Sequence, residues 1–96
     1  MSSSDIIQIL KEYKKTHAEE YGIQAMGVFG SVARGDATTN SDVDVVVKIE
    51  VPDPYIIVHI KEEIAEQLQQ SVDIVRLRDK MNIYLKKQIE QDVIYV

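Results

Sequence analysis

Residues 43–49, Val-Asp-Val-Val-Val-Lys-Ile, constrain this chain more than any other stretch. They are mostly β-branched, which favours an extended strand over a helix. Side chains along a strand alternate between its faces. Val43, Val45, Val47 and Ile49 therefore make one wholly apolar face that other elements have to cover. Asp42, Asp44, Val46 and Lys48 share the opposite face. The fold must supply helices for one side of this strand and tolerate two carboxylates, roughly 6–7 Å apart along the backbone, at its start.

The flanking sequence provides those helices. Ile6, Leu10, Tyr13 and His17 recur at helical spacing, with Ile7 and Tyr21 beside them, and predict a helix over 5–21. Ser4 or Asp5 can cap its start and Gly22 can end it. Residues 23–29 read as a strand, Gly30–Asp36 as a turn or short helix, and 37–41 as a polar loop. Asp53-Pro54 is a helix start, followed by the stripe Ile57, Ile60, Ile64 and Leu68. Residues 72–77 form a further strand. Asp79 can cap a last helix carrying Met81, Leu85, Ile89 and Val93, and Ile94-Tyr95-Val96 can add an edge strand or tuck in. The order predicts an α+β fold: a small mixed β-sheet of three to four strands with helices packed on one face.

With 96 residues the chain is expected to be a single domain over 1–96, with a thin core and no room for a separate acceptor-binding domain. There is no cysteine, which excludes disulfides and thiolate metal sites. A net charge of −5 argues against direct nucleic-acid binding and suits a basic protein partner. The start of the chain lacks the basic and apolar regions of a signal peptide, and no apolar run approaches the ~20 residues of a membrane span. A cytoplasmic location without membrane attachment is expected.

The chemistry lies in Gly30-Ser31-Val32-Ala33-Arg34-Gly35-Asp36 and Ser41-Asp42-Val43-Asp44. Carboxylates on one strand face can converge on one cation, or on two about 3.5–4 Å apart. Asp73 lies between Val72 and Ile74 and points away from their face, an expensive place for a charge unless it is paired or metal-bound. If the strands carrying them are neighbours, Asp42, Asp44 and Asp73 make an oxygen-rich site suited to Mg²⁺ or Mn²⁺. Gly30-Ser31, where a strand ends and a helix can begin, can hold phosphate oxygens through backbone N–H groups and the Ser31 hydroxyl. A phosphate cradle beside a carboxylate metal site is what phosphoryl or nucleotidyl transfer requires.

The assembled pattern resembles the minimal nucleotidyltransferases of the DNA polymerase β superfamily. The matching residues are Gly30-Ser31, Ala33-Arg34-Gly35, Asp42-Val43-Asp44, and Asp73 within Ser71-Val72-Asp73-Ile74-Val75. The ending Ile89-Glu90-Gln91-Asp92-Val93-Ile94-Tyr95-Val96 also resembles that of the family. The resemblance implies a polymerase-β-like fold, with Asp42, Asp44 and Asp73 as catalytic carboxylates: Asp42 and Asp44 hold the metals, and Asp73 is the base or a metal ligand on the acceptor side. It further implies Gly30 and Ser31 on the triphosphate, two Mg²⁺ ions, and ATP as AMP donor. Arg34 matches a family position and either faces phosphate or pairs with an acid to lock the motif helix. Members of this size resemble antitoxins that modify a tyrosine of an all-helical HEPN toxin. The alternatives are a transferase for a small-molecule alcohol and a non-catalytic module that neutralises a partner by occlusion. His17 and His59, far apart in sequence, and the scattered tyrosines are expected to serve the surface and core edge.

Overall fold

The computed structural model describes residues 1–38 and 40–96; Thr39, in the expected loop 37–41, lies outside the described residues. The elements are α1 (Ser3–Tyr21), β1 (Ile23–Phe29), α2 (Gly30–Arg34), β2 (Val43–Ile49), α3 (Pro54–Leu68), β3 (Val72–Arg76), α4 (Ile83–Asp92) and β4 (Ile94–Tyr95).

Helix ends follow local chemistry. The cap of α1 is Ser2, not Ser4 or Asp5. Its hydroxyl accepts from the Asp5 N–H at 3.2 Å, while the Asp5 carboxylate accepts from the Ser2 N–H at 3.1 Å. Two otherwise unpaired donors are satisfied reciprocally by that spacing, which moves the start ahead of the predicted one. Gly22 ends the helix in the left-handed conformation. Asp53 caps α3 as expected, accepting from the Tyr55 N–H at 2.9 Å. The last helix is capped by Asn82 rather than Asp79: the Asn82 side-chain oxygen accepts from the N–H groups of both Tyr84 and Leu85. Met81 therefore precedes α4 and packs from the loop.

The sheet order is β3-β2-β1-β4. β1 is antiparallel to β2 and β4, and β2 is parallel to β3. Ile94–Tyr95 thus forms the edge strand that the sequence allowed. Val43, Val45, Val47 and Ile49 are buried with Met26 and Val28 of β1, beneath Ile6, Leu10 and Tyr13 of α1 and Ile60, Ile64 and Leu68 of α3. The helices-on-one-face expectation holds for α1 and α3. Helix α4 lies on the other face, where Ile89 buries Phe29 and Val46. Val46, apolar on the face otherwise carrying Asp44 and Lys48, needs that cover.

The packing of α1 on α3 also gathers groups that looked dispersed. Tyr13 and Tyr21 donate to one oxygen of Glu63 at 3.2 and 2.7 Å. His17 and His59 lie 3.7 and 3.3 Å from the same carboxylate. His17 and His59 are thus neighbours in space. The signal was present as i, i+4 steps: 13, 17 and 21 on α1, and 59 and 63 on α3.

Candidate active site

The pairing register sets one line of residues across the sheet. Phe29, the last residue of β1, faces Asp44 on β2, and Asp44 faces Asp73 on β3. Cross-strand partners share a face, about 4.8 Å apart from strand to strand. Asp42 lies one residue before β2 and, by alternation, toward the same side. Helix α4 covers Phe29 and Val46, while Asp42 and Asp73 are exposed and Asp44 is half-buried.

Asp73 thus differs from its expected setting. It is not an acid enclosed within an apolar strand, because β3 is the sheet's edge and Asp73 reaches solvent there. The electrostatic tension falls on Asp44 instead. Burial foremost, and then the nearby charges of Asp73 and Asp42, push its carboxyl above the usual aspartate range, with Arg34 opposing. Among the described residues no hydrogen-bond donor is paired with any of the three carboxylates. Nor does any group of three His, Cys, Asp or Glu side chains close into a metal-ligand shell among them.

Gly30 abuts this acid. Its φ is +69°, and a Cβ there would run into the Asp44 carboxylate. Only glycine meets both demands, the left-handed backbone and the close approach. The single turn of α2 begins at this point without a side-chain cap, which leaves its first N–H groups without a capping acceptor, and Ser31, its second residue, is half-buried. The Ser31 carbonyl accepts the Asp36 N–H at 3.0 Å, which closes the turn.

Of the two roles open to Arg34, the structure displays the ion pair. Its Nη1 donates to Asp92 at 2.9 Å and its Nε to Asp36 at 3.3 Å. Asp92 had no role assigned from the sequence, and 58 residues separate the pair. A cleft of about 510 Å³ opens beside Asp42 and Asp73, lined also by Lys61, Glu62 and Ser71. The structure thus brings Gly30, Ser31, Asp42, Asp44 and Asp73 to one end of the sheet, with Arg34 at the rim.

Known proteins share this fold. The family pattern described as Polymerase beta, Nucleotidyltransferase matches residues 4–96. A Methanocaldococcus jannaschii protein, provisionally named a protein adenylyltransferase, is 37% identical over 94 residues, covering 97% of this chain and 96% of its own. The protein adenylyltransferase MntA of Thermococcus cleftensis is 32% identical over 97 residues, covering 100% and 97%. Among solved structures, a provisionally named minimal nucleotidyltransferase superposes with a TM-score of 0.80 at 27% identity, over 98% of this chain and 95% of that one. A complex of a tri-AMPylated Shewanella oneidensis HEPN toxin with MNT antitoxin has the same fold, with a TM-score of 0.72 at 18% identity over 97% of this chain and 70% of that one. The chain belongs to the polymerase beta family of nucleotidyltransferases.

Proposed function

We propose that the chain, acting as one domain over 1–96, transfers AMP from ATP to a tyrosine hydroxyl of a HEPN toxin and so serves as its antitoxin. The observation that carries the reading is the pairing of Asp44 with Asp73 directly beside the Gly30 corner. Relatives that match over nearly their whole length are named protein adenylyltransferases, which supports the choice of AMP.

The carboxylates fit a hard dication. Burial first, and then the like charges of Asp73 and Asp42, raise the proton affinity of Asp44, a tension that a bound cation would relieve. Asp42, Asp44 and Asp73 would hold Mg²⁺, with Mn²⁺ as substitute and two ions as the expected number. Such ions neutralise phosphate charge and acidify an attacking hydroxyl.

The chain's own residues do the rest. The N–H groups at the start of α2 and the Ser31 hydroxyl bind phosphate oxygens. Asp73, exposed on the edge strand, faces the acceptor and takes its proton. The acceptor oxygen bonds to the α-phosphorus, the bond to the bridging oxygen breaks, and pyrophosphate leaves.

The test is transfer of label from α-labelled ATP to a co-purified HEPN protein with Mg²⁺. Label on a tyrosine is expected, and its loss in Asp42→Ala and Asp44→Ala. Absence of transfer by the wild-type chain, or unchanged labelling by those variants, would overturn the reading. Full neutralisation of the toxin by Asp44→Asn would assign the effect to occlusion instead.

A further inference from the structure

Helix α2 is a single turn of five residues, too short to hold its own conformation. Its position depends on outside contacts. Val32 is buried in the main core, and the Ser31 carbonyl is tied to Asp36. The remaining tether is polar: Arg34, the last residue of α2, is joined to Asp92, the last residue of α4.

The placement of Asp92 is informative. A carboxylate at a helix C-terminus stands at the negative end of the helix dipole, where an anion is disfavoured. The Asp92 side chain is also only 12% exposed. An acid in that position needs a cation, and Arg34 supplies it. The guanidinium is consequently held on two sides, Nη1 by Asp92 and Nε by Asp36, while Nη2 makes no hydrogen bond among the described residues. A guanidinium fixed in this way keeps donors free for a second anion in a set direction.

We propose that Asp92 is a positioning residue for nucleotide binding: from α4 it orients Arg34, so that α2 presents Ser31 and the free guanidinium edge to the triphosphate beside Asp44. The inference rests on the reading that this corner binds ATP. Asp92 itself touches no phosphate. Its effect passes through Arg34, and it couples the last helix to the Gly30-Ser31 corner.

The test is the affinity of the full chain for AMP-PNP with Mg²⁺, measured by calorimetry alongside melting without nucleotide. Asp92→Asn is expected to weaken binding about 3- to 10-fold, the size that loss of one half-exposed ion pair allows. Asp92→Glu, which keeps the charge, should retain most of the affinity. The charge swap Arg34→Asp/Asp92→Arg restores the tether but moves the cation onto α4. It should recover the melting temperature and leave binding weak. Wild-type affinity in Asp92→Asn, or affinity restored by the swap, would overturn the proposal by reducing the pair to a structural lock. Should Asp92→Asn fail to fold, Asp92→Glu and the swap give the same decision. A wild-type chain that does not bind AMP-PNP would remove the nucleotide reading itself, and this inference with it.

Discussion

Asp44 and Asp73 stand opposite each other across the parallel β2–β3 ladder, yet only Asp44 is drawn away from water. The asymmetry arises because β3 is the sheet's edge, while β2 is flanked on both sides and has the Gly30 corner against it. Two like charges are thereby held in unlike surroundings. The arrangement costs stability in the free chain and favours cation binding.

That cost has a sign that pH can read. The folded-state pKa of Asp44 lies above its ordinary value of 3.8, through burial and through Asp73 and Asp42. The folded chain therefore binds this proton more tightly than the unfolded chain. The stabilisation is full below the ordinary value and is lost as pH rises through the raised one. At neutral pH Asp44→Asn should melt above wild type, and the advantage should vanish below about pH 3.8. Thermal melts of both proteins across that range check this. A lower melting temperature for Asp44→Asn at neutral pH would contradict it.

Divalent cation should offset the same repulsion. Mg²⁺ at about ten times its dissociation constant stabilises by roughly 1.4 kcal/mol. For a domain of this size that raises the melting temperature by roughly 5–10 °C. Asp44→Asn should show little of the shift. Equal shifts in both proteins would place the ion elsewhere.

Gly30 and Gly35 separate backbone strain from crowding. Both have positive φ, +69° and +79°. A Cβ at Gly35 meets nothing within 4 Å, whereas one at Gly30 runs into the Asp44 carboxylate. Gly35→Ala should cost only the left-handed penalty, about 1–2 kcal/mol. Gly30→Ala should cost more and also abolish AMP-PNP binding. Comparable binding by the two variants would show that the corner tolerates displacement of Asp44.

The Glu63 hub should respond to acid in the opposite direction from Asp44. Burial pushes the Glu63 carboxyl up, but hydrogen bonds from Tyr21 and Tyr13 and the nearby His59 and His17 outweigh it, leaving it below the ordinary 4.5. Its stabilisation is thus present above that value and lost as pH falls through the lowered one. Glu63→Ala would strand the hydroxyl of buried Tyr13, at a cost of about 1–3 kcal/mol. The loss should appear in melts at neutral pH and shrink in acid, with AMP transfer retained by the folded fraction. A variant as stable as wild type would show the hub to be incidental.

Much of this architecture was legible because it depends on short-range rules. Strands 23–29 and 43–49 match β1 and β2, because β-branched alternation leaves those residues one compatible conformation. The differences lie at helix starts, in the seating of α4 on the second face and in the exposure of Asp73. Several residues near each start can act as caps, and the choice went to Ser2 and Asn82, whose side chains reach the right N–H groups. The gathering of Asp42, Asp44 and Asp73 was foreseeable only on the condition that β2 and β3 are neighbours. The exposure of Asp73 was not, because it depends on β3 being an edge.

The sequence by itself determined the periodicity of each element and the pairing of acids at the start of β2. These follow from interactions spanning a few residues, which any fold of this chain would inherit. Tertiary structure decided the strand order that sets Asp44 against Asp73, the seating of α4 on the second face, the joining of Arg34 to Asp92, and the assembly around Glu63. Contacts of that kind bring together groups tens of residues apart. They exist only when burial of the whole core compensates the entropy of closing the chain between them.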